Sequence, residues 1–407
     1  MKILHLLAQI PGFTGSGIYL RSIIPLAASA GYEQAVICGI PRELKIVFDS
    51  SAPLTFYPVY FETAKLPFPV TGMSDVMPYP SSRYRDLSPD MLSQWQNAFQ
   101  ERLQQAIDEF KPDLILSHHL WLLTALARQM APSLPLYAIC HGTALRQQNF
   151  CPHFAPLILP QLKNIDLVFA LNRSQKEKLS NSFAIDPGRI VISGNGYNEL
   201  LFYPQQRDAS RTKRFVYAGK LSYAKGLKEL FSALEFLYKT DKNFRLTLCG
   251  SGAGEETSHI RQIAGQCRFP HEFKGNVTQE DLAEIFRHSD ILILPSYYEG
   301  LPLVLIEALA CGLRIIVNDL PGLKEWLGDK IIQSGLIDFV PLPELVNTDE
   351  PVPEKVGAYV ADLSSAIKTC LSKSNQEPPV HLESLKSHSW AAVFERLQKH
   401  FPDPDND

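Results

Sequence analysis

Short apolar runs alternate with amphipathic stretches along nearly the whole chain, and these runs have the length of buried strands. In the first half they are 2–8, 35–40, 55–61, 113–118, 135–141, 167–171 and 190–193. In the second half they are 214–218, 245–249, 271–274, 291–295 and 314–318. The segments between them show helical periodicity, as in 279–289, whose start Thr278 can cap. Strands that alternate with helices predict an α/β fold with parallel sheets.

The polar stretch 205–214 separates the two series of strands and is interpreted as a linker. A chain of 407 residues is also too long for one ordinary core. We therefore predict two doubly wound, Rossmann-like domains, 1–205 and 206–385, facing a cleft, because ligands bind beyond the carboxyl ends of parallel strands. The segment 386–407 is predicted to pack back on the body as a helix over 389–401, followed by a loose acidic tail.

Two proline-rich segments interrupt the alternation of strands and helices. Residues 62–89 show no clear periodicity, and a loop of that length inside a domain is usually functional or disordered. Residues 339–355 are rich in proline and acidic side chains, which predicts an excursion on the surface.

The composition is that of a globular protein, with 45% hydrophobic and 20% charged residues. A net charge of −4 gives no electrostatic reason to expect nucleic acid as a partner. No apolar run is long enough to predict a membrane span. The absence of a basic amphipathic helix gives no positive reason for binding to anionic lipid, although peripheral membrane contact stays open.

The seven cysteines are scattered and form no Cys-x-x-Cys pair, so they are interpreted as small buried hydrophobic residues. This pattern suits a reducing compartment, and we expect a cytoplasmic protein. The apolar start of the chain is brief, contains His5 and leads directly into a glycine-rich loop. It is therefore interpreted as a first strand rather than a signal peptide.

The most informative candidate site is the nine-residue segment from Glu299 to Glu307, which reads Glu-Gly-Leu-Pro-Leu-Val-Leu-Ile-Glu. Pro302 suits a helix start, so Glu299 is expected on a loop and Glu307 inside the helix, roughly 10 Å away. Two carboxylates at that spacing suit the hexose and the ribose of a nucleotide-sugar, with the helix N–H groups near the diphosphate. The alternative is an ordinary turn before a helix with an exposed Glu307.

Glycine-rich turns after three of the predicted strands are candidate ligand sites. Lys220 and Lys225 follow the strand 214–218 beside glycines and could hold a diphosphate, although two solvated lysines are the alternative. Gly15, Ser16 and Gly17 follow the first strand. The full dinucleotide fingerprint and the acidic residue that binds a ribose are missing there, which disfavours an NAD enzyme. The turn 250–254 allows either a ligand loop or a simple strand-to-helix connection.

Histidines end two of the predicted strands. His141 ends 135–141, and His118 with His119 ends 113–118, where each side chain can face a sugar or serve only a structural role. No third ligand has the spacing of a metal site, so none is predicted.

Taken in chain order, these segments resemble family 4 of the retaining glycosyltransferases, which have the two-domain GT-B fold. The resemblance spans nearly the whole chain and is strongest over 189–326. The matching pieces are Gly194-Asn-Gly196, Phe202-Tyr-Pro204, Gly219-Lys220, Lys225-Gly226, Pro295 to Pro302 and Glu307 to Gly312. The last two complete the family's Glu-x7-Glu signature. The sequence departs from the family at Lys220, where arginine is frequent, and at 321–324, where Gly-Gly-x-Pro is common.

The resemblance implies a role for each matching residue of the second domain. Glu299 would bind hydroxyls of the donor sugar, and Glu307 would bind the ribose. Lys220 and Lys225 match the positions that hold the diphosphate. Backbone groups near the phosphates and the sugar would come from Leu301, Leu303 and Val304.

The resemblance also implies roles in the first domain. Gly15, Ser16 and Gly17 match the loop near the diphosphate and the acceptor. His141 matches a histidine near the donor sugar that the family needs for turnover, and His119 matches a less certain position. Arg146 could meet an anionic acceptor or form a surface salt bridge.

The reaction implied is transfer from a nucleotide diphosphate sugar, expected to be a UDP-sugar, with retention at the anomeric carbon. No carboxylate is obviously placed as a nucleophile, so front-face displacement fits better than double displacement. The acceptor is a small molecule, a glycan or a lipid-linked hydroxyl, and neither a cofactor nor a metal is expected. Two alternatives stay open, a catalytically inactive partner subunit and a nucleotide-sugar epimerase on the same fold.

Overall fold

The computed structural model describes residues 1–12, 14–50, 52–75, 77–206, 212–252, 254–299, 301–347, 349–373 and 382–402, without the side chains of 382 and 383. Two compact units result: unit 1 comprises Met1–Asn195 and Trp390–Asp407, and unit 2 comprises Gly196–Ser389. The predicted boundaries at 205/206 and 385/386 therefore differ from the divisions in the structure. One reason is that the backbone N–H of Tyr197 donates to the carbonyl of His388, 3.0 Å away, within unit 2.

Unit 1 is built on a seven-stranded parallel sheet in the order β3-β2-β1-β6-β7-β8-β9. In chain order its strands, with a separate short pair β4 and β5, are β1 Lys2–Leu7, β2 Glu33–Pro41, β3 Leu54–Phe61, β4 Thr71–Gly72, β5 Ser82–Arg83, β6 Leu114–Ser117, β7 Leu136–Ile139, β8 Leu167–Ala170 and β9 Ile190–Ile192. The first six helices are α1 Gly15–Ser29, α2 Pro89–Phe110, α3 Leu122–Met130, α4 Thr143–Phe150, α5 Ala155–Leu162 and α6 Arg173–Phe183.

Unit 2 is built on a six-stranded parallel sheet in the order β12-β11-β10-β13-β14-β15. Its strands are β10 Lys213–Ala218, β11 Phe244–Cys249, β12 His271–Gly275, β13 Ile291–Leu294, β14 Arg314–Asn318 and β15 Ile337–Val340. Its helices are α7 Leu227–Tyr238, α8 Gly254–Gly265, α9 Gln279–Arg287, α10 Leu303–Ala310, α11 Leu323–Leu327, α12 Asp329–Ile332, α13 Val356–Lys373 and α14 Leu382–Lys386.

The last helix, α15 Trp390–Gln398, returns to unit 1 and packs on α1. Its aromatic side chains Trp390 and Phe394 are buried there. The acidic tail predicted to be loose, 403–407, and the middle of the predicted linker, 207–211, lie outside the described residues.

The central strands of both sheets are buried on both faces because helices cover each side, so their sequences are nearly continuous apolar runs. The predicted α/β fold with two doubly wound domains is confirmed. The sixth strand of unit 2, β15, was not predicted: it has four residues, includes Asp338 and lies at the edge of the sheet.

The proline-rich segment 62–89 is largely packed onto the core of unit 1, to which it belongs. Its apolar side chains Leu66, Phe68, Val70 and Met73 are buried in the core. The indole N–H of Trp95 on α2 donates to Thr71 Oγ1 at 2.9 Å, which ties the segment to the adjacent helix. In the part of the chain that the structure describes, no helix is both long and apolar enough to cross a membrane.

Candidate functional site

The strand order of unit 2 reverses at β10, which pairs with β11 on one side and β13 on the other. In doubly wound sheets ligands bind beyond the carboxyl ends of the strands at such a point. The loop after β10 carries Lys220 and Lys225, and the loop after β13 carries Glu299. The topology therefore brings the candidate residues from these two loops to one edge of the sheet.

These two loops touch through their backbones. Gly226 has φ +65°, and a Cβ placed on it would lie 2.2 Å from the carbonyl oxygen of Pro295. Beside this contact the N–H of Tyr297 donates to the carbonyl of Ala224 at 3.0 Å. A side chain at 226 would be both strained and obstructed, so glycine is what allows the loops to meet.

The contact places Lys225 against Glu299. Lys225 Nζ lies 2.6 Å from Glu299 Oε1 and 3.4 Å from the carbonyl oxygen of Tyr298. The side chains of Lys225 and Glu299 are 17% and 19% exposed, so the pair is partly shielded from water yet open to a ligand. An ammonium has three N–H donors, which leaves capacity for a phosphate oxygen.

A buried network holds the start of the loop after β13. Asn318, at the end of β14, donates from Nδ2 to the carbonyl oxygens of Pro295 and Ser296, at 3.0 Å each. The hydroxyl of Tyr359 on α13 donates to Asn318 Oδ1 at 2.8 Å. Sequence reasoning missed these positioning residues; the available signal was a polar residue at the end of an apolar strand.

Glu307 lies in the second turn of α10 and is 3% exposed. Gln279 Nε2 donates to its Oε1 at 3.4 Å, a long contact that compensates little. Burial raises the pKa of Glu307 to about 8, so the carboxyl group holds its proton at neutral pH. The interpretation of Glu307 as an exposed helix residue is therefore wrong.

The remaining predicted residues of unit 2 surround the start of α10 and the end of β10. Leu303 and Val304 begin α10, which follows Pro302 without a side-chain cap, and the buried Leu301 precedes it; Gly300 lies outside the described residues. Early N–H groups of a helix have no acceptor within it, so those at the start of α10 can donate to an acceptor outside the helix. The carbonyl of Lys220 accepts a hydrogen bond from the hydroxyl of Tyr217 at 2.6 Å.

The turn 250–254 contacts the loop after β10 through its first glycine. Gly250 has φ +127°, and a Cβ there would lie 1.9 Å from the carbonyl oxygen of Gly219. Ala253 in this turn lies outside the described residues. The close approach gives Gly250 a structural role beside the candidate site.

Unit 1 reverses its strand order at β1, between β2 and β6. Gly15, Ser16 and Gly17 start α1 there, and a Cβ at Gly17 would lie 2.3 Å from the backbone nitrogen of Gly12. The buried amide of Gln9 organises this turn: its Nε2 donates to Thr14 Oγ1 at 2.8 Å and to Ser16 Oγ at 3.0 Å.

The other end of the Gln9 amide reaches the proline-rich segment 62–89. Gln9 Oε1 accepts from the backbone N–H of Met73 at 3.1 Å, and Gln147 Nε2 on α4 donates to the carbonyl of Met73 at 3.1 Å. Both backbone polar groups of this one residue of the segment are thus hydrogen-bonded to glutamine side chains. Sequence reasoning did not identify either glutamine.

His141 follows β7 and lies among aromatic and imidazole rings. Its ring centroid is 5.0 Å from that of Tyr19, 5.5 Å from that of His119 and 6.4 Å from that of His118. Burial lowers the pKa of His141 to about 3, so the ring is neutral at physiological pH. Its Nε2 atom has no hydrogen-bond partner among the residues described.

The neighbouring histidines are neutral for the same reason. Burial lowers the pKa of His5 to about 4 and holds the pKa values of His118 and His119 well below their ordinary value. Thr143 Oγ1, at the start of α4, lies 3.4 Å from His119 Nδ1. Unit 1 therefore presents uncharged imidazoles at its candidate site, whereas the candidate site of unit 2 contains an ion pair.

A chain of hydrogen bonds sets the tautomer of His118. Gln34 Nε2 donates to the carbonyl of Ile24 at 2.9 Å, so Gln34 Oε1 accepts from His5 Nε2 at 3.0 Å. His5 Nδ1 then accepts from His118 Nε2 at 3.3 Å. His118 Nδ1 is left as an unprotonated acceptor.

The structure brings Lys225 and Glu299 together in unit 2, and His141, His118 and His119 together in unit 1. Within the described ranges, no three His, Cys, Asp or Glu side chains are arranged to hold a metal ion.

Two sequence families match the chain. The family described as Glycosyltransferase Family 4 matches residues 14–199, and the family described as Glycosyl transferases group 1 matches residues 202–339. The two matches together include every predicted site residue of both units.

Curated relatives match between 38% and 59% of this chain. Glycogen synthase of Mycobacterium tuberculosis is 24% identical over 53% of this chain and 54% of its own length. This chain thus spans about half the length of the curated relatives it matches.

Solved structures extend the similarity to the whole fold. Sucrose-phosphate synthase of Thermosynechococcus elongatus has a TM-score of 0.71 at 18% identity, over 98% of this chain and 97% of its own. Anabaena Alr3699/HepE, solved in complex with UDP and glucose, has a TM-score of 0.68 at 14% identity, over 98% of both chains. Together with the two family matches, these similarities show that the chain belongs to the family 4 glycosyltransferases and has the GT-B fold.

Proposed function

We propose that the chain is a retaining glycosyltransferase that moves a sugar from a nucleotide diphosphate sugar to a hydroxyl acceptor. The observation that carries the proposal is the pair of Lys225 and Glu299, joined at 2.6 Å where the strand order of unit 2 reverses. The buried Glu307 lies in the helix that begins just after this pair. A cation and two carboxyl groups at this position match the chemical parts of such a donor.

The diphosphate is the part that needs positive charge. We assign it to Lys225 and Lys220, with the N–H groups of Leu303 and Val304 at the start of α10 as further donors. The same groups stabilise the charge that develops as the diphosphate leaves. We place the backbone of Leu301 beside the diphosphate as well.

The two carboxyl groups serve the two polyol ends of the donor. Glu299 accepts hydrogen bonds from the sugar hydroxyls while its contact with Lys225 fixes its orientation. Glu307 meets the ribose, whose hydroxyls supply the hydrogen bonds that the buried carboxyl group lacks. The Anabaena structure that contains UDP and glucose supports a uridine nucleotide here.

Unit 1 contributes the glycine-rich turn at Gly15, Ser16 and Gly17 and the neutral ring of His141. A neutral imidazole can exchange a hydrogen bond with a sugar hydroxyl without attracting the leaving diphosphate, and His141 Nε2 has no such bond among the described residues. We therefore assign His141 to the donor sugar.

The proposed reaction is a front-face displacement. The acceptor oxygen bonds to the anomeric carbon on the face from which the diphosphate departs, and the bond from that carbon to the phosphate oxygen breaks. The acceptor proton passes to the departing phosphate, so the sugar keeps its anomeric configuration. Our proposal includes neither a metal nor a cofactor.

Release of nucleotide from a panel of UDP-, GDP- and ADP-sugars tests the proposal, with proton NMR of the first sugar product. We expect one nucleotide to be released, with an α-configured product. Glu299→Gln should lower turnover by about 100-fold, because misplacing a bound sugar has a cost of that size. Glu284→Gln is the control, since Glu284 is an exposed carboxylate that pairs with Arg287 in the same unit.

The proposal fails if the native protein releases no nucleotide from any donor, or if Glu299→Gln and Glu284→Gln turn over alike. A sugar that changes configuration while still attached to its nucleotide would identify an epimerase instead.

A further inference from the structure

Three aromatic rings form a line in unit 1 that connects the last helix to His141. The Trp390 centroid is 4.8 Å from that of Tyr19, with planes at 78°. The Tyr19 centroid is 5.0 Å from that of His141, with planes at 74°. Both contacts are edge-to-face, the arrangement that aromatic pairs prefer.

Tyr19 is well placed to control the orientation of His141. It lies on α1, one turn after the glycine-rich start, and is completely buried. Trp390 is the first residue of α15 and is also buried. A buried ring in contact with two others cannot turn unless one of them moves.

His141 depends on such packing because hydrogen bonding does not fix its ring. Its Nε2 atom has no partner among the described residues. Beyond Tyr19, its ring neighbours are His119 and His118, the second of which lies nearly parallel, at 9°. The direction in which Nε2 points is therefore set by the surrounding rings.

We propose that Tyr19 and Trp390 are positioning residues for His141, so that the last helix completes the working geometry of unit 1. Of the measurements that test this proposal, only the measurement of enzyme activity rests on the proposed function. The orientation of the His141 ring can be measured independently of turnover.

The same helix offers a matched control. Phe394 is buried one turn later and contacts Tyr32 at 6.4 Å and Phe401 at 6.2 Å between centroids. These rings form a separate aromatic group, and none of them is among the ring neighbours of His141 in the part of the chain that the structure describes. Loss of Phe394 removes a buried aromatic side chain from α15 without disturbing the line from Trp390.

Other bonds keep α15 in place when Trp390 is replaced. Arg396 Nε donates to the carbonyl of Ser193 at 2.8 Å, and Gln398 Nε2 donates to the hydroxyl of Tyr32 at 2.9 Å. Trp390→Leu is therefore expected to fold with α15 docked.

The experiment compares Trp390→Leu, Trp390→Phe and Phe394→Leu in the full chain. The imidazole C–H signal of His141, assigned by its loss in His141→Gln, is followed by NMR, and kcat and KM are measured for donor hydrolysis. We expect Trp390→Leu to shift the His141 signal and lower kcat by about tenfold or more at unchanged donor KM. Trp390→Phe should keep the native His141 signal and the native kcat. Phe394→Leu should change neither the signal nor kcat.

An unshifted His141 signal in Trp390→Leu overturns the proposal, as does an equal loss of kcat in Phe394→Leu. If Trp390→Leu does not melt cooperatively, Tyr19→Leu and Tyr19→Phe decide instead: the first should shift the signal and the second should preserve it. If the native protein hydrolyses no donor, the proposed function fails while the NMR result still decides the role of Trp390.

Discussion

Units 1 and 2 have the same kind of parallel sheet, and each presents candidate residues where its strand order reverses, yet the two places differ in chemistry. Unit 2 presents an ion pair, Lys225 with Glu299, and a protonated carboxyl group, Glu307, in the helix that follows. Unit 1 presents neutral imidazoles around His141 and hydroxyls held by the Gln9 amide. The topology decides where the loops meet, and the side chains decide which ligand chemistry is available there.

The two units also share a device for bringing loops together. In unit 2 Gly226 lies against Pro295, and in unit 1 Gly17 lies against Gly12. In both cases a Cβ would meet a backbone atom at less than van der Waals distance. The glycines shape each site, and the polar side chains then occupy the space they create.

The largest effect is expected from Gly226→Ala, which obstructs the loop contact in unit 2. The Cβ would lie 2.2 Å from a backbone oxygen at φ +65°. We expect the free energy of unfolding to fall by about 2–5 kcal/mol, the sum of left-handed strain and overpacking, with loss of nucleotide binding. Denaturant unfolding and a UDP titration measure the two effects.

Gly335→Ala separates backbone strain from the loop contact, because Gly335 has φ +71° with nothing within 4 Å of a Cβ. It should lower the free energy of unfolding by about 1–2 kcal/mol. Equal destabilisation by the two substitutions would show that the contact with Pro295 contributes nothing.

The sequence predicted the fold well because its central strands are buried on both faces and therefore read as continuous apolar runs. The strand β15 was not predicted, because four residues at the edge of a sheet, with Asp338 among them, do not form a continuous apolar run. The packing of 62–89 was not predicted either, since it depends on partners distant in sequence, such as Gln9 and Gln147.

The candidate residues of the site could be identified from the sequence, but the residues they contact could not. Lys225 and Glu299 were each identified, whereas their contact spans 74 positions and depends on two loops meeting. Asn318 and His5 looked like polar interruptions of apolar strands. Their roles follow from hydrogen bonds to Pro295 and to His118, which no local pattern encodes.

The opposite chemistry of the two units predicts opposite responses to pH. The pKa of His141 is about 3 in the folded chain and ordinarily 6.5. The unfolded chain therefore gains protons first, and stability is lost as the pH falls below about 6.5 toward 3. The pKa of Glu307 is about 8 against an ordinary 4.5. The folded chain keeps that proton longer, so stability is lost as the pH rises from about 4.5 to 8.

Denaturant unfolding between pH 5 and pH 8.5 tests this contrast in Glu307→Gln and His141→Gln. Each titrating group changes the free energy of unfolding by up to about 1.4 kcal/mol per pH unit. Glu307→Gln should gain stability relative to the native chain as the pH rises, and His141→Gln should gain as the pH falls. Parallel profiles in both variants and the native chain would contradict the pKa assignments.

The most direct test of the central claim, that Lys225 holds the diphosphate of the donor, is a calorimetric titration of UDP, GDP and ADP. Lys373→Ala is the matched control, because Lys373 forms an ion pair at 2.6 Å with Asp338 elsewhere in unit 2. We expect Lys225→Ala to weaken binding of the preferred nucleotide by about 10- to 100-fold, the value of a hydrogen bond to a charged group. Lys373→Ala should bind as the native chain does. Native affinity in Lys225→Ala would contradict the account.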